Sequence, residues 1–210
     1  MAAHCDHHHH THAVSDATRP RYARVLWIAL VVNALMFGVE IASGLRSGSV
    51  SLLADAIDFF ADAANYALTL AVLSLGLQWR ARAALVKAAS MLVFGTLVMG
   101  KALWSARTGI APEAVTMGVV GALALAANLG VAALLYAFRE GDANMRGVWL
   151  CTRNDAIGNV AVMLAALGVF GTGSAWPDLG VALVMSALAV AAGWSVMRQA
   201  QRELARQAAR

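Results

Sequence analysis

Charge is scarce in this 210-residue sequence. Asp, Glu, Lys and Arg make up 13% of it, against 60% hydrophobic residues. With a mean hydropathy of +0.65, a soluble domain of this length cannot hide so much apolar surface in one core. Histidine is missing beyond residue 12, so none lies in an apolar run and no His-Glu-x-x-His occurs. That excludes hydrolases that bind zinc through two histidines on one helix face. Ser51, Ser74 and Ser90 have no base nearby in sequence, which leaves a membrane-embedded enzyme without a nucleophile–base pair. Aromatics are few, and no basic groove is lined with them, so the net charge of +4 does not indicate nucleic acid. No cleavable signal is visible, because the first 24 residues are polar and the first apolar run is too long and has no small-residue cleavage site. The two cysteines are Cys5, in a polar tail, and Cys151, in an apolar run. A disulfide between them is not expected, since pairing needs Cα atoms within about 7 Å.

The hydrophobic residues are gathered into long runs. Six segments, 25–45, 50–77, 83–104, 114–138, 147–170 and 178–197, are long and apolar enough to read as membrane spans. None alternates polar and apolar residues as a barrel strand would, so each is expected to be helical. The fold class is therefore an all-α integral membrane protein of six transmembrane helices. It has a His-rich tail over 1–24, a transport-sized bundle over 25–197 and a short basic tail over 198–210. Basic residues set the orientation. Arg19, Arg21, Arg24, Arg80, Arg82, Arg139, Arg146, Arg198, Arg202, Arg206 and Arg210 fall on one side, with Arg46, Arg107 and Lys101 on the other. By the positive-inside rule both termini are cytoplasmic. Trp27, Trp79, Trp104, Trp149 and Trp176 lie near span ends, as interfacial aromatics do.

Ionisable residues inside spans are costly and mark function. Glu40, Asp55, Asp58, Asp62 and Asp155 are such residues. Asp55, Asp58 and Asp62 follow an i, i+3, i+7 spacing and share one helix face. Three carboxylates on one face repel unless they hold protons or a cation. Cys151 and Asp155 are i and i+4 on the fifth span. Alone, Cys151 reads as a small packing residue; one turn from a buried carboxylate it reads as a ligand. Asp58, Asp62, Cys151 and Asp155 together give four ligands, the number a tetrahedral d¹⁰ ion takes. The depths match only loosely. Asp62 lies roughly 22 Å from the inner end at 77, and Asp155 about 12 Å from the start at 147. Equal depth requires the fifth helix to begin nearer Ala143 and the second to end earlier.

The stretch containing Asn33, Glu40, Gly44, Ser49 and SLLADAIDFFAD resembles the cation diffusion facilitator (cation efflux) family of divalent metal transporters. REGDANMRGVWLCTRNDAIGN, Asn128 and the WPDLG around Asp178 extend the resemblance over nearly the whole chain. It implies a six-helix metal/proton antiporter that exports metal from the cytoplasm, with Asp58 and Asp62 of helix two and Cys151 and Asp155 of helix five as metal ligands. It also implies a homodimer and, for a bacterial member, the inner membrane. Two departures stand out. Cysteine occupies position 151, where members commonly carry histidine. The sequence also ends within about 13 residues of the last span, the length of a short form lacking the cytoplasmic domain of many members.

The expected cargo is a divalent metal ion of the zinc and cadmium class, because a thiolate favours borderline and soft ions over magnesium or calcium. Protons are the counter-ion, since ligands must shed protons to bind metal. No resident cofactor is expected, and the partners are lipid and metal ions. The tail residues His4, Cys5, His7, His8, His9, His10 and His12 would collect metal loosely at the cytoplasmic mouth. They are interrupted by Asp6 and Thr11, unlike an engineered tag. Glu40 and Asp55 either line the pathway and relay protons or fix helix packing through hydrogen bonds. Arg153 points away from Cys151 and Asp155 and snorkels toward the interface, or pairs with Glu140 or a site carboxylate. The competing reading, a proton-coupled exporter of small organic cations, would use the same carboxylates and leave Cys151 incidental.

Overall fold

A computed structural model describes residues 19–71, 77–138 and 143–208. Among the described residues the architecture is all-helical: α1 (Arg19–Ser47), α2 (Val50–Ala71), α3 (Leu77–Thr108), α4 (Ala114–Tyr136), α5 (Ala143–Thr172) and α6 (Trp176–Ala208). The three prolines explain why the helices are long and unbroken. Pro20 and Pro177 are the second residues of α1 and α6, and Pro112 lies between α3 and α4. In a first turn proline's missing N–H costs nothing, whereas in a helix interior it would break the hydrogen-bond ladder. Gly173 ends α5 at φ 62°, a left-handed conformation that glycine adopts freely, and its N–H caps the carbonyl of Val169 at 2.8 Å.

Several boundaries differ from those read in the sequence, the start of α1 at Arg19 rather than 25 among them. Leu77, taken as the end of the second span, opens α3 instead. The fifth helix starts at Ala143 rather than 147, as equal ligand depth requires. The sixth runs on to Ala208, so most of the basic segment 198–210 is helix rather than tail. Hydropathy falls where a helix leaves hydrocarbon, but Ala, Gln, Glu, Leu and Arg remain good helix formers there.

Five of the six helices are long and apolar enough to cross a membrane. The exception is α2, which carries Asp55, Asp58 and Asp62. Its position accounts for that. It packs against all five other helices, while the other extensive contacts pair α3 with α6 and α4 with α5. The α3–α6 approach needs a bare backbone at Gly95, where a Cβ would meet Val190 at 2.8 Å. Large apolar side chains such as Leu35, Ile157, Leu164, Leu167 and Phe170 are turned outward. In water such a surface would be an adhesive patch; in a bilayer it is the solvent-facing side. The protein is a multi-pass membrane protein.

One polar clamp fixes the start of α2. Ser49 is its N-cap and accepts from the backbone N–H of Leu52 at 3.2 Å. The buried carboxylate of Asp178, in the first turn of α6, accepts from Ser49 Oγ at 2.7 Å and Ser51 Oγ at 2.6 Å. It also accepts from the backbone N–H groups of Val50 at 2.8 Å and Ser51 at 3.0 Å. An anion at a helix N-terminus is favoured by the helix dipole and by the unpaired N–H groups there.

Candidate metal centre

The face of α2 that bears the aspartates points into the bundle. Asp55 and Asp62 are buried and Asp58 is half-buried. From α5 comes Asp155, half-buried, whose carboxyl group stands within hydrogen-bond reach of that of Asp62. Asp58 faces Asp55 and Asp62 along its own helix and Asp155 across the interface. The structure thus sets Asp58 and Asp62 of α2 and Asp155 of α5 along the α2–α5 interface, with Asp62 and Asp155 the pair that approaches most closely.

Neutral donors hold Asp62 in position. The Tyr66 hydroxyl donates to Asp62 Oδ2 at 2.7 Å. Thr152 Oγ1 of α5 lies 2.6 Å from that hydroxyl and 3.4 Å from the same carboxylate oxygen. A positive charge completes the surroundings. Lys87 of α3 is buried, donates from Nζ to Asn65 Oδ1, and faces Asp62 and Asp155. One turn beyond Asp155 on α5, Asn159 Oδ1 accepts from Asn128 Nδ2 of α4 at 3.1 Å. Apolar clusters close the centre at both ends. Tyr22, Leu26, Ala29, Tyr66, Val131, Leu135 and Phe138 form one, and Met36, Phe59 and Ala124 pack on the other side of Asp62 along α2. Excluding water in this way makes every charge interaction within the centre stronger.

Cys151 is buried, one turn from Asp155, but its sulfur is in a disulfide whose other half lies outside the described residues. The expectation that Cys151 forms no disulfide is therefore overturned. In the disulfide state Cys151 offers no thiolate. As placed, no three His, Cys, Asp or Glu side chains among the described residues stand close enough to hold one ion together. A bound ion therefore requires the carboxylates to draw in.

Glu40 and Asp55 face each other from α1 and α2, and Asp155 faces Asp55 from α5. The tail residues His4, Cys5, His7, His8, His9, His10 and His12 lie outside the described residues. Arg153 is exposed and stacks over Trp149, 5.3 Å from the ring centroid, so it points away from the carboxylates. Its alternative partner Glu140 lies outside the described residues.

Lys87, Asn65, Tyr66 and Thr152 were not picked out from the sequence. Two of them had a signal. Tyr66 is four residues beyond Asp62 and Thr152 three before Asp155, the spacings of neighbours on one helix face. Lys87 follows the basic residues Arg80 and Arg82 at the start of the third apolar run, where nothing in the sequence sets it apart as a site residue.

Comparison with known proteins supplies a family description. Residues 26–205 match the cation efflux transmembrane domain. The zinc transporter ZitB of Escherichia coli (strain K12) is 29% identical over 212 residues, an alignment covering 94% of this chain and 67% of the relative. The metal cation efflux system protein CzcD of Cupriavidus metallidurans is 24% identical over 187 residues, covering 83% of this chain and 59% of the relative. A cadmium, cobalt and zinc/H(+)-K(+) antiporter of Bacillus subtilis is 22% identical over 191 residues, covering 83% and 61%. The chain thus spans about two thirds of ZitB and about three fifths of the other two.

Proposed function

The chain belongs to the cation efflux family, a family of transporters rather than enzymes, and from that premise we propose that it exports divalent heavy-metal ions in exchange for protons. Zinc and cadmium are the proposed cargo and the bacterial inner membrane the proposed location. The observation that carries this reading is the meeting of Asp62 on α2 with Asp155 on α5, with Asp58 facing both. Carboxylates gathered in a water-poor interior have two low-energy states, one holding protons and one holding a metal ion. Exchange between those states is antiport.

Asp58, Asp62 and Asp155 supply hard oxygen ligands. In the reduced protein Cys151 supplies the fourth and softer one, which biases the site toward zinc and cadmium. Tyr66 and Thr152 orient Asp62, as groups behind metal ligands commonly do. The His-rich tail concentrates metal at the cytoplasmic entrance, and two copies of the chain form a homodimer, as the family resemblance implies.

The test is competitive zinc and cadmium flux into liposomes, with the reduced full-length protein and an imposed pH gradient. Asp62→Ala and Asp155→Ala are expected to abolish transport while the protein remains folded. Cys151→His is expected to keep zinc transport and lower the cadmium-to-zinc ratio, since a neutral imidazole suits zinc. Metal flux persisting in Asp62→Ala or Asp155→Ala overturns the site. Identical selectivity in the parent, Cys151→His and Cys151→Ala removes Cys151 from it.

A further inference from the structure

Glu40 and Asp55 stand outside the ligand set, and metal transport alone does not explain them. Glu40 is fully buried on α1 and Asp55 nearly so on α2. None of their four carboxyl oxygens accepts a hydrogen bond from a donor among the described residues. Among the described residues, the side chain that each approaches is the other. Two carboxylates are acceptors only, so they can meet oxygen to oxygen only with a proton between them. Asp62 contrasts with them, because Tyr66 and Thr152 both reach it.

The groups around the pair offer no substitute for that proton. Along α2 the neighbouring charge is Asp58, which faces both Glu40 and Asp55. From α5 come Asp155 and the bare backbone of Gly158, where a Cβ would stand 4.0 Å from Asp55 Oδ1. The same Cβ would lie 3.5 Å from Met185 Cε of α6, an apolar neighbour. The one buried lysine among the described residues, Lys87, faces Asp62 and Asp155 instead.

We propose that Glu40 and Asp55 form a proton site separate from the metal ligands, placed toward the Ser47–Val50 end of the bundle. It rests on the antiport reading, because a dedicated proton site matters only where protons are exchanged. One carboxyl holds an O–H bond and donates it to a lone pair of the other, so the pair carries one proton and one negative charge. Release breaks that O–H bond and leaves two facing anions in an apolar setting, which recapture a proton from the side then open. Asp58 lies between this pair and Asp62, and through it a metal charge at Asp62 and Asp155 favours release of the proton. Ion and proton then ride on different carboxyl groups, coupled by repulsion through Asp58.

The experiment uses the full-length parent, Glu40→Gln and Asp55→Asn. Each amide keeps a hydrogen bond to the remaining carboxylate without a releasable proton. Zinc binding is measured by calorimetry, zinc-driven proton flux by a pH dye trapped in liposomes, and protonated carboxyl groups by infrared difference spectroscopy. Expected in both variants are zinc affinity within about threefold of the parent, proton flux reduced about tenfold or more, and loss of a protonated-carboxyl band. If one variant fails to fold, the other carries the test, and the infrared band of the parent is readable without transport. The proposal is overturned if zinc affinity falls with proton flux, which would make the pair part of the metal site. It is also overturned if the proton flux or the infrared band is unchanged. A parent that moves no metal while both variants lose the band would overturn the transport reading and leave the proton site standing.

Discussion

Replacing Asp178 by alanine tests whether the clamp at the start of α2 holds the site-bearing helix in place. The carboxylate accepts four hydrogen bonds, two from serine hydroxyls and two from backbone N–H groups. The hydroxyls have somewhere else to go, because Ser49 Oγ and Ser51 Oγ already lie 3.3 Å apart. The N–H groups of Val50 and Ser51 do not. Leaving a buried donor unpaired costs about 1–3 kcal/mol each. Loss of the anion from the helix terminus adds roughly 0.3–1 kcal/mol. Partial hydration at the end of the bundle offsets some of this, and a net loss of about 3 kcal/mol is expected. For a chain of this size that corresponds to a melting point lowered by about 6–12 °C. Asp178→Asn retains one oxygen acceptor and should lose about half as much. The assay is the fraction of detergent-solubilised protein eluting as a single species after stepwise heating. If Asp178→Ala melts within about 2 °C of the parent, the four bonds do not fix α2 and the argument fails.

Four further outcomes follow from the same geometry. Tyr66→Phe removes the donor to Asp62 and should weaken zinc binding about tenfold or more, with Tyr66→Leu no better; calorimetry decides it. Lys87→Met takes a positive charge away from Asp62 and Asp155 and should tighten zinc binding roughly tenfold, whereas unchanged or weaker binding would show that Lys87 serves only Asn65. Reporter fusions at Gly109 and Gly173 should lie outside the cytoplasm and a fusion at Arg210 inside it, and an outside signal at Arg210 would refute the six-span orientation. Deleting residues 1–18 should leave maximal zinc flux intact while raising the half-saturating concentration, and complete loss of flux in a well-expressed deletion would contradict a collecting role.

What could be read from the sequence depended on how much each residue's free energy is set by its own helix. The outward faces of α1, α3, α4, α5 and α6 meet lipid, so their apolar runs announced them without help from neighbours. The boundaries near 77, 143 and 198 were harder, because a helix leaving hydrocarbon continues on polar residues that hydropathy counts as loop. The carboxylate face of α2 was legible for a different reason. Asp55, Asp58 and Asp62 at i, i+3 and i+7 are too costly in lipid to be there by accident. The disulfide state of Cys151 has no local sequence pattern behind it.

Lys87 shows where such reading stops. A lysine near the end of a span can send its ammonium toward the headgroups or, on the same flexible stem, inward to a partner. Nothing in the order Arg80, Arg82, Lys87 distinguishes the two. The decision belongs to α2, which packs against every other helix and presents Asn65 and Asp62 to the side from which Lys87 arrives. A carboxylate-bearing helix in the middle of a bundle is itself tolerable only if its charges are met by protons, cations or donors from the helices around it. Asp178 is met by Ser49, Ser51 and the start of α2, Asp62 by Tyr66, Thr152 and Lys87, while no donor among the described residues reaches Glu40 or Asp55. That unequal provision separates the structural carboxylate from those proposed to exchange cations, and it is visible only once the helices are assembled.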